Sequence, residues 1–458
     1  MQATWRAAPI LLAAFLALAS PAAHALDDPA ARTRVTTLEN GLTVLTLVDD
    51  TTPVVSFQMW AHVGSRDETR YTGLAHLFEH MMFGGSKNVP AEGHAQLLGA
   101  RGGEVNAYTT NDYTTYFDDV TSESMPLVID LEHERVAHLD ISEPTLARER
   151  KVVLEERRLR TEDSPMGRAY EALFGLVWQA LPYRWPVIGW RSDIEKATVD
   201  VCRKFFGQYY VPNNLVLAIV GSFDEEAVLA RIRRTFGTLD RVPDIPRNPT
   251  EEPKQQGERR ATVYFDLRAP ILAAGWHAPP TGHPDGEALD VLSTILSAGH
   301  SSRLYRSLVY DAQQALSAEG GYWELEEAGV FLAFASVRPG ASIDRVEQLF
   351  FDEIERLKRE PPSADELEKA KRQLEVSLVD GLETNHELAE RIGRDYITLG
   401  RIRPLDERLE RIRAVTAEDV QRVARSYLVK DQRSVVQIVP APPGPAAGGG
   451  EAAKEGGP

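Results

Sequence analysis

His76-Leu77-Phe78-Glu79-His80 sets two imidazoles four residues apart, with a carboxylate next to the second. In a helix, positions i and i+4 lie one turn apart on the same face, so His76 and His80 can hold one metal ion between them while Glu79 projects beside it. The order His-x-x-Glu-His reverses the commoner His-Glu-x-x-His zinc motif and points to metal-assisted hydrolysis. At this chain's His and Glu content such a pentapeptide arises by accident in roughly a few per cent of sequences, so its surroundings must decide.

Outward from the motif, residues 73–83 have helical spacing, and Gly84-Gly85-Ser86 has the composition of a helix C-terminus. Upstream, residues 38–47 predict a strand entered through the turn Asn40-Gly41, and residues 54–63 alternate like its neighbour. Downstream, residues 102–109 and 112–118 are rich in Thr and Tyr and predict a hairpin with Asn111-Asp112 near its tip. Helical spacing returns at 124–140 and at 145–161. A hydrolytic zinc takes three protein ligands and leaves a fourth position for water, so a third ligand is needed. On the last of these helices Glu149, Val152, Val153 and Glu156 fall at i, i+3, i+4 and i+7, a single stripe, with Glu155 pointing away. Carboxylates on an apolar stripe must be paired or bind a metal, which makes both Glu149 and Glu156 candidates.

The chain has 458 residues, 43% hydrophobic and 26% charged, a globular balance with length for two domains. Residues 1–25 carry Arg6, an apolar run at 10–18 and then Ala23-His24-Ala25, the small-x-small pattern of signal-peptidase cleavage. They predict a secretory signal removed after Ala25, and with it a periplasmic location. The apolar run is too short to cross a bilayer, so no membrane span is expected. The single cysteine, Cys202, excludes an intrachain disulfide. It lies in an amphipathic run and reads as a buried small hydrophobe, not a nucleophile. A formal net charge of −17 argues against nucleic acid as a partner. His133-Glu134 with His138 is one residue too long for the conventional zinc motif, and the remaining histidines lack partners at ligand spacing.

Residues 241–260 hold Pro243, Pro246, Pro249 and Pro253 among charges and predict an interdomain linker. From Val263 the order of strand, helices and strand begins again. Asp200-Val201, Tyr209-Tyr210 and the strand 215–220 are echoed by Asp419-Val420, Tyr427 and the strand 435–439, a weak repeat with an offset of roughly 220 residues. The expected domains are 34–240 and 261–440. The Pro-, Gly- and Ala-rich tail 441–458 is expected to be disordered.

Several motifs in one order resemble the pitrilysin family of inverzincin zinc peptidases, which includes insulin-degrading enzyme and the mitochondrial processing peptidase. They are Gly64-Ser65-Arg66, the helix 73–83, Asn106-Ala107-Tyr108-Thr109, Glu149 to Glu156, Tyr209-Tyr210-Val211-Pro212-Asn213-Asn214 and Ser301-Ser302-Arg303-Leu304. The similarity is closest to the short members and covers nearly all of the chain after the signal. It implies an α+β fold of two homologous domains, each a mainly antiparallel sheet packed with helices, the second inactive, together forming half of a clamshell chamber. It also implies a zinc endopeptidase subunit acting on peptides or unfolded protein segments. One Zn2+ per chain would be held by His76, His80 and Glu156, with Glu79 as general base and Glu149 as a supporting acid. Substrate would add as a strand at residues 103–108, with Asn106 and Ala107 the closest contacts. Active members also use an Arg and a Tyr seven residues apart after the Ser-Arg-Leu motif, and here Val309 and Leu316 stand at those positions. Arg306 and Tyr310 are close by at the wrong spacing. A homologous partner supplying the Arg/Tyr pair is therefore expected. The other outcome is a non-catalytic structural or peptide-binding subunit, against which the intact His76, Glu79, His80 and Glu156 speak.

Overall fold

The structure, a computed structural model, describes residues 28–442. The predicted signal and the predicted tail beyond residue 442 lie outside the described residues.

The first half contains β1 (Arg34–Thr37), β2 (Thr43–Val48), β3 (Val54–Ala61), β4 (Glu104–Thr109), β5 (Thr114–Thr121) and β6 (Leu215–Gly221). Its helices are α1 (Pro29–Arg32), α2 (Leu74–Met81), α3 (Gly93–Gly99), α4 (Met125–His138), α5 (Glu143–Arg157), α6 (Pro165–Val177), α7 (Arg191–Lys196), α8 (Val199–Tyr209) and α9 (Glu225–Arg234). The second half contains β7 (Arg259–Phe265), β8 (Ile271–Ala278), β9 (Ala315–Trp323), β10 (Gly329–Val337) and β11 (Arg433–Pro440). Its helices are α10 (Gly286–Ser297), α11 (Ile343–Arg359), α12 (Ala364–Asp380), α13 (Asn385–Leu399), α14 (Leu405–Ala414) and α15 (Ala417–Tyr427).

The first sheet runs β1-β2-β6-β3-β5-β4 and the second β7-β11-β8-β10-β9. Each is antiparallel except for one parallel pair, β2 with β6 and β7 with β11. Leaving β1 aside, the two sheets have the same topology, with β2, β6, β3, β5 and β4 matched by β7, β11, β8, β10 and β9. The faint repeat in the sequence is thus a repeat of strand order, and α6 and α13 begin at Pro165 and Asn385, an offset of about 220 residues. The fold is α+β with two such units.

The halves do not keep their helices to themselves. Leu388, Ala389 and Ile392 of α13 pack with Trp60, Val216 and Val220 on the first sheet. In return Leu173, Phe174 and Val177 of α6 pack with Ile271, Leu332 and Val436 on the second. Gly393 permits the close approach, since a Cβ there would stand 2.3 Å from the indole nitrogen of Trp60. The boundaries 34–240 and 261–440 therefore divide the chain but not its cores, and β7 begins at Arg259, inside the expected linker. That linker is also pinned. Glu252 accepts N–H bonds from Gln179, Ala180 and Leu181, and Arg247 donates to Asp67 and to the carbonyl of His62. Among the described residues no helix is long and apolar enough to cross a membrane. Cys202 is buried, and burial pushes its thiol up to about 11.

Candidate metal centre

α2 forms because Leu74, Ala75, Leu77, Phe78 and Met81 give it a buried face. Phe78, fully buried, stacks against Phe205 and Phe206 of α8. The start of the helix is set by Gly73 at φ +85°, a left-handed conformation that favours glycine. Its orphan N–H groups are met by Glu68, whose two oxygens accept from the nitrogens of Gly73 (2.7 Å) and Ala75 (2.8 Å). Gly189 backs onto this turn, where a Cβ would stand 2.4 Å from Cα of Gly73. The opposite face of α2 then presents His76, Glu79 and His80 to a cavity of about 780 Å3.

α5 delivers the acidic partner. Leu146, Glu149, Val153 and Arg157 make its buried stripe, and Arg157 anchors it by donating to the Gly189 carbonyl (2.7 Å) and to Glu171 (2.6 Å). One member of the predicted stripe is wrong: Val152 is 47% exposed, because the 3.6-residue turn carries it past the edge of the face that Val153 fills. Glu156 is half-buried at the cavity and Glu155 points to solvent. The predicted helix 145–161 starts at Glu143, and its last turn widens to π geometry at Arg158–Glu162.

The three donor groups converge. Nε2 of His80 lies 3.1 Å from Oε2 of Glu156 and Nε2 of His76 lies 3.7 Å from Oε1, and the ligand atoms of the triad all fall within 4.8 Å of one another. Arg160 also reaches Oε1 of Glu156 at 2.5 Å. Contacts with His76, and after it His80, hold the Glu156 carboxyl far below the usual carboxylate range. Burial disfavours the charged form of His80, but Glu156, Glu79 and Glu149 outweigh it, and its pKa is raised. One carboxylate thus gathers two imidazoles and a guanidinium, and Nδ1 of His76 is buried without a hydrogen-bond partner. Two imidazoles and a carboxylate with an open side fit the donor set of a hydrolytic zinc site. Glu149 is buried 8% exposed on the same helix, paired with Arg148 at 2.8 Å.

Glu79 accepts a hydrogen bond from the Thr109 hydroxyl at 2.6 Å, which ties it to the last residue of β4. β4 is the edge of the first sheet, bonded only to β5. Asn106 and Ala107 lie in mid-strand and line the cavity; the Ala107 N–H donates to Oδ1 of Asn106 at 2.9 Å. Beside the cavity the outer edge of β4 is paired with no strand among the described residues, and the Asn106 side chain caps its Ala107 N–H.

Some neighbours left little trace in the sequence. Thr109 looked like any strand residue, and Arg160 and Tyr170 entered the cavity only through the course of the chain after α5. His94, Asp118 and Glu132, which have no ligand spacing, meet in a second buried group, with His94 Nε2 3.0 Å from Asp118. There Arg135 already supplies the cation, donating from Nε to Glu132 at 2.9 Å, and burial drives the His94 imidazole down to about 3. The group is a closed charge cluster behind β5. Val309 packs against the second core, and Leu316 lies 50% exposed on β9.

A reversed His-x-x-Glu-His helix thus meets a glutamate from a second helix within a chain of two α+β units. The chain belongs to the insulinase family, peptidase family M16: that domain matches residues 43–182 and the peptidase M16 inactive domain matches 196–374. It is 31% identical over 409 residues to zinc protease PqqE of Helicobacter pylori, covering 88% of this chain and 92% of that protein. It is likewise 31% identical to an uncharacterized zinc protease of Streptomyces coelicolor, covering 86% and 87%. The crystal structure of a protease from Helicobacter pylori superimposes with a TM-score of 0.86 at 30% identity, over 89% of this chain and 99% of that one. A Pseudomonas fluorescens peptidase M16 inactive domain shares the fold, with a TM-score of 0.82 at 18% identity, over 89% and 98%.

Proposed function

We propose that the chain is the metal-bearing subunit of a zinc-dependent endopeptidase that cleaves peptides or unfolded protein segments. The observation that carries this is the meeting of His76, His80 and Glu156 in one cavity with Glu79 and the open edge of β4. His76, His80 and Glu156 would hold one zinc per chain, which when bound polarises the scissile carbonyl and acidifies water. Glu79, held by Thr109, takes the proton of the attacking water and returns it to the leaving amine. Glu149 keeps a second negative charge near the imidazoles. Asn106 and Ala107 receive the peptide as an added strand, which gives affinity through the backbone and leaves sequence preference loose.

With Val309 and Leu316 at the Arg and Tyr positions, this chain forms one half of a clamshell chamber and a homologous partner supplies that pair. The same substitutions favour a second reading, a peptide-binding subunit without turnover. Residues 1–25 direct secretion to the periplasm, which the N-terminal sequence of the exported protein tests: it should begin at Leu26.

Zinc content and peptide cleavage separate the readings. The purified chain should carry about one zinc, lost in His76→Ala, His80→Ala or Glu156→Ala. Glu79→Gln should keep the zinc and lose cleavage by about a hundredfold or more. Full occupancy in His76→Ala would end the metal assignment, and unchanged cleavage in Glu79→Gln would end that of the base.

A further inference from the structure

The cavity has a second wall that the metal chemistry leaves unused. Tyr170 and Phe174 of α6 and Trp323 at the end of β9 line it together with His76, Glu79 and Ala107. Their rings form one surface. Tyr170 lies 5.9 Å from Trp323 with 26° between the planes, Phe174 lies 6.4 Å from Trp323, and Tyr170 is backed by Phe334 at 4.6 Å. Trp323 is 45% exposed, although the indole is among the side chains that gain most from burial. A half-bare tryptophan inside a concave cavity has the character of a binding anchor. Glu171, which lines the cavity, accepts from Arg157 at 2.6 Å and from Arg168 at 3.2 Å, while Glu319, on the same strand as Trp323, acts on Tyr170. The wall therefore presents apolar ring surface with negative charge on its flank, which disfavours an acidic side chain there. It also joins the halves, with α6 from the first and β9 from the second.

We propose that Tyr170, Phe174 and Trp323 form a subsite for one large apolar side chain, of leucine to tryptophan size, on the peptide laid along β4. The inference deepens the peptidase reading and rests on it. Successive side chains of an added strand point to opposite sides, so only alternate residues can turn toward the wall and their neighbours stay free to be polar. An aspartate turned there would leave water without gaining a partner. Burying a leucine- or phenylalanine-sized side chain corresponds to about a tenfold to hundredfold gain in affinity.

The test uses the full-length Glu79→Gln chain loaded with zinc, which binds without turnover. Fluorescent unstructured decapeptides carry Leu, Phe, Ser or Asp at one position, moved along an otherwise polar sequence, and Kd is read by anisotropy. The Leu and Phe peptides should bind at least about tenfold tighter than Asp at one register. Adding Trp323→Ala or Tyr170→Ala should erase that preference with zinc content unchanged, while Trp323→Phe should retain it. Equal affinity across the series overturns the subsite alone, as does a preference that survives both alanine variants. A loss of partner association in Trp323→Ala with the preference intact also overturns it. No binding of any peptide overturns the peptide-binding reading and the subsite with it.

Discussion

Glu149, Glu155 and Glu156 lie within eight residues of one helix, yet the turn of α5 gives them three surroundings. Glu156 meets the imidazoles, Glu149 is buried beside Arg148, and Glu155 pairs with Arg158 in solvent. Glu156→Gln should therefore lose most of the zinc, and Glu149→Gln should lower activity with a milder loss of metal, because it acts on the field around His80 and is not itself in the triad. Glu155→Gln should leave both unchanged. Zinc stoichiometry and cleavage rate across the three variants check this, and equal sensitivity at 155 and 156 would show that the helix register is misassigned. At this scale the sequence was most readable, since ligands four residues apart on one helix are fixed by helical geometry alone. Trp323 was not readable, because an outward residue of a strand looks the same whether it faces open water or a cavity built from the other half of the chain.

The elements that aim these residues depend on a few close contacts. Gly189 sits at φ +77° against Gly73, so Gly189→Ala combines backbone strain with a clash at the start of α2. It should cost about 1–3 kcal/mol of stability and reduce zinc per folded chain, measured by thermal melting and metal analysis. α13 offers a pH test. Its His386 donates to Asp119 of β5 at 2.8 Å, and this bond raises the imidazole pKa against the effect of burial, with Glu390 and Glu387 adding to it. A raised histidine pKa means that the contact stabilises the folded chain fully below the unfolded value of about 6.5 and that this contribution is lost as pH rises through the folded value. With the imidazole 31% exposed, the effect should be under about 1 kcal/mol. Melting temperatures at pH 6 and pH 8 should show wild type losing more than His386→Gln over that interval, and parallel losses would rule the contact out as the cause. Most elements were legible, α2 and α5 from helical spacing and the β4–β5 hairpin from its Thr and Tyr content around Asn111-Asp112. β1 was not, because Arg34–Thr37 is exposed along most of its length and has no buried alternation to betray it.

For the whole molecule the question is what completes the site. Neither Val309 nor Leu316 can donate to a reacting carbonyl, and losing such donors in other hydrolases costs on the order of a hundredfold or more. Cleavage by this chain alone should be slow and rise by about that factor when a homologue bearing the Arg/Tyr pair is added. Efficient turnover at a dilution where no dimer persists would exclude the partner requirement. The duplication was faintly legible in the echo between residues 200–220 and 419–439, but the exchange of α6 and α13 was not. An amphipathic helix shows that it will be covered and says nothing about which sheet will cover it.

That exchange fixes an order of events as the chain emerges and folds. Gln58 of β3 donates to the carbonyl of His386, a contact that spans 328 residues, and Trp60 waits for the same helix. Once the first 240 or so residues have emerged, the strands of the first sheet can pair, but one apolar face stays bare until α13 follows. Severing the chain at its proline-rich crossing would yield two fragments that each expose a sticky face and should rescue one another when mixed.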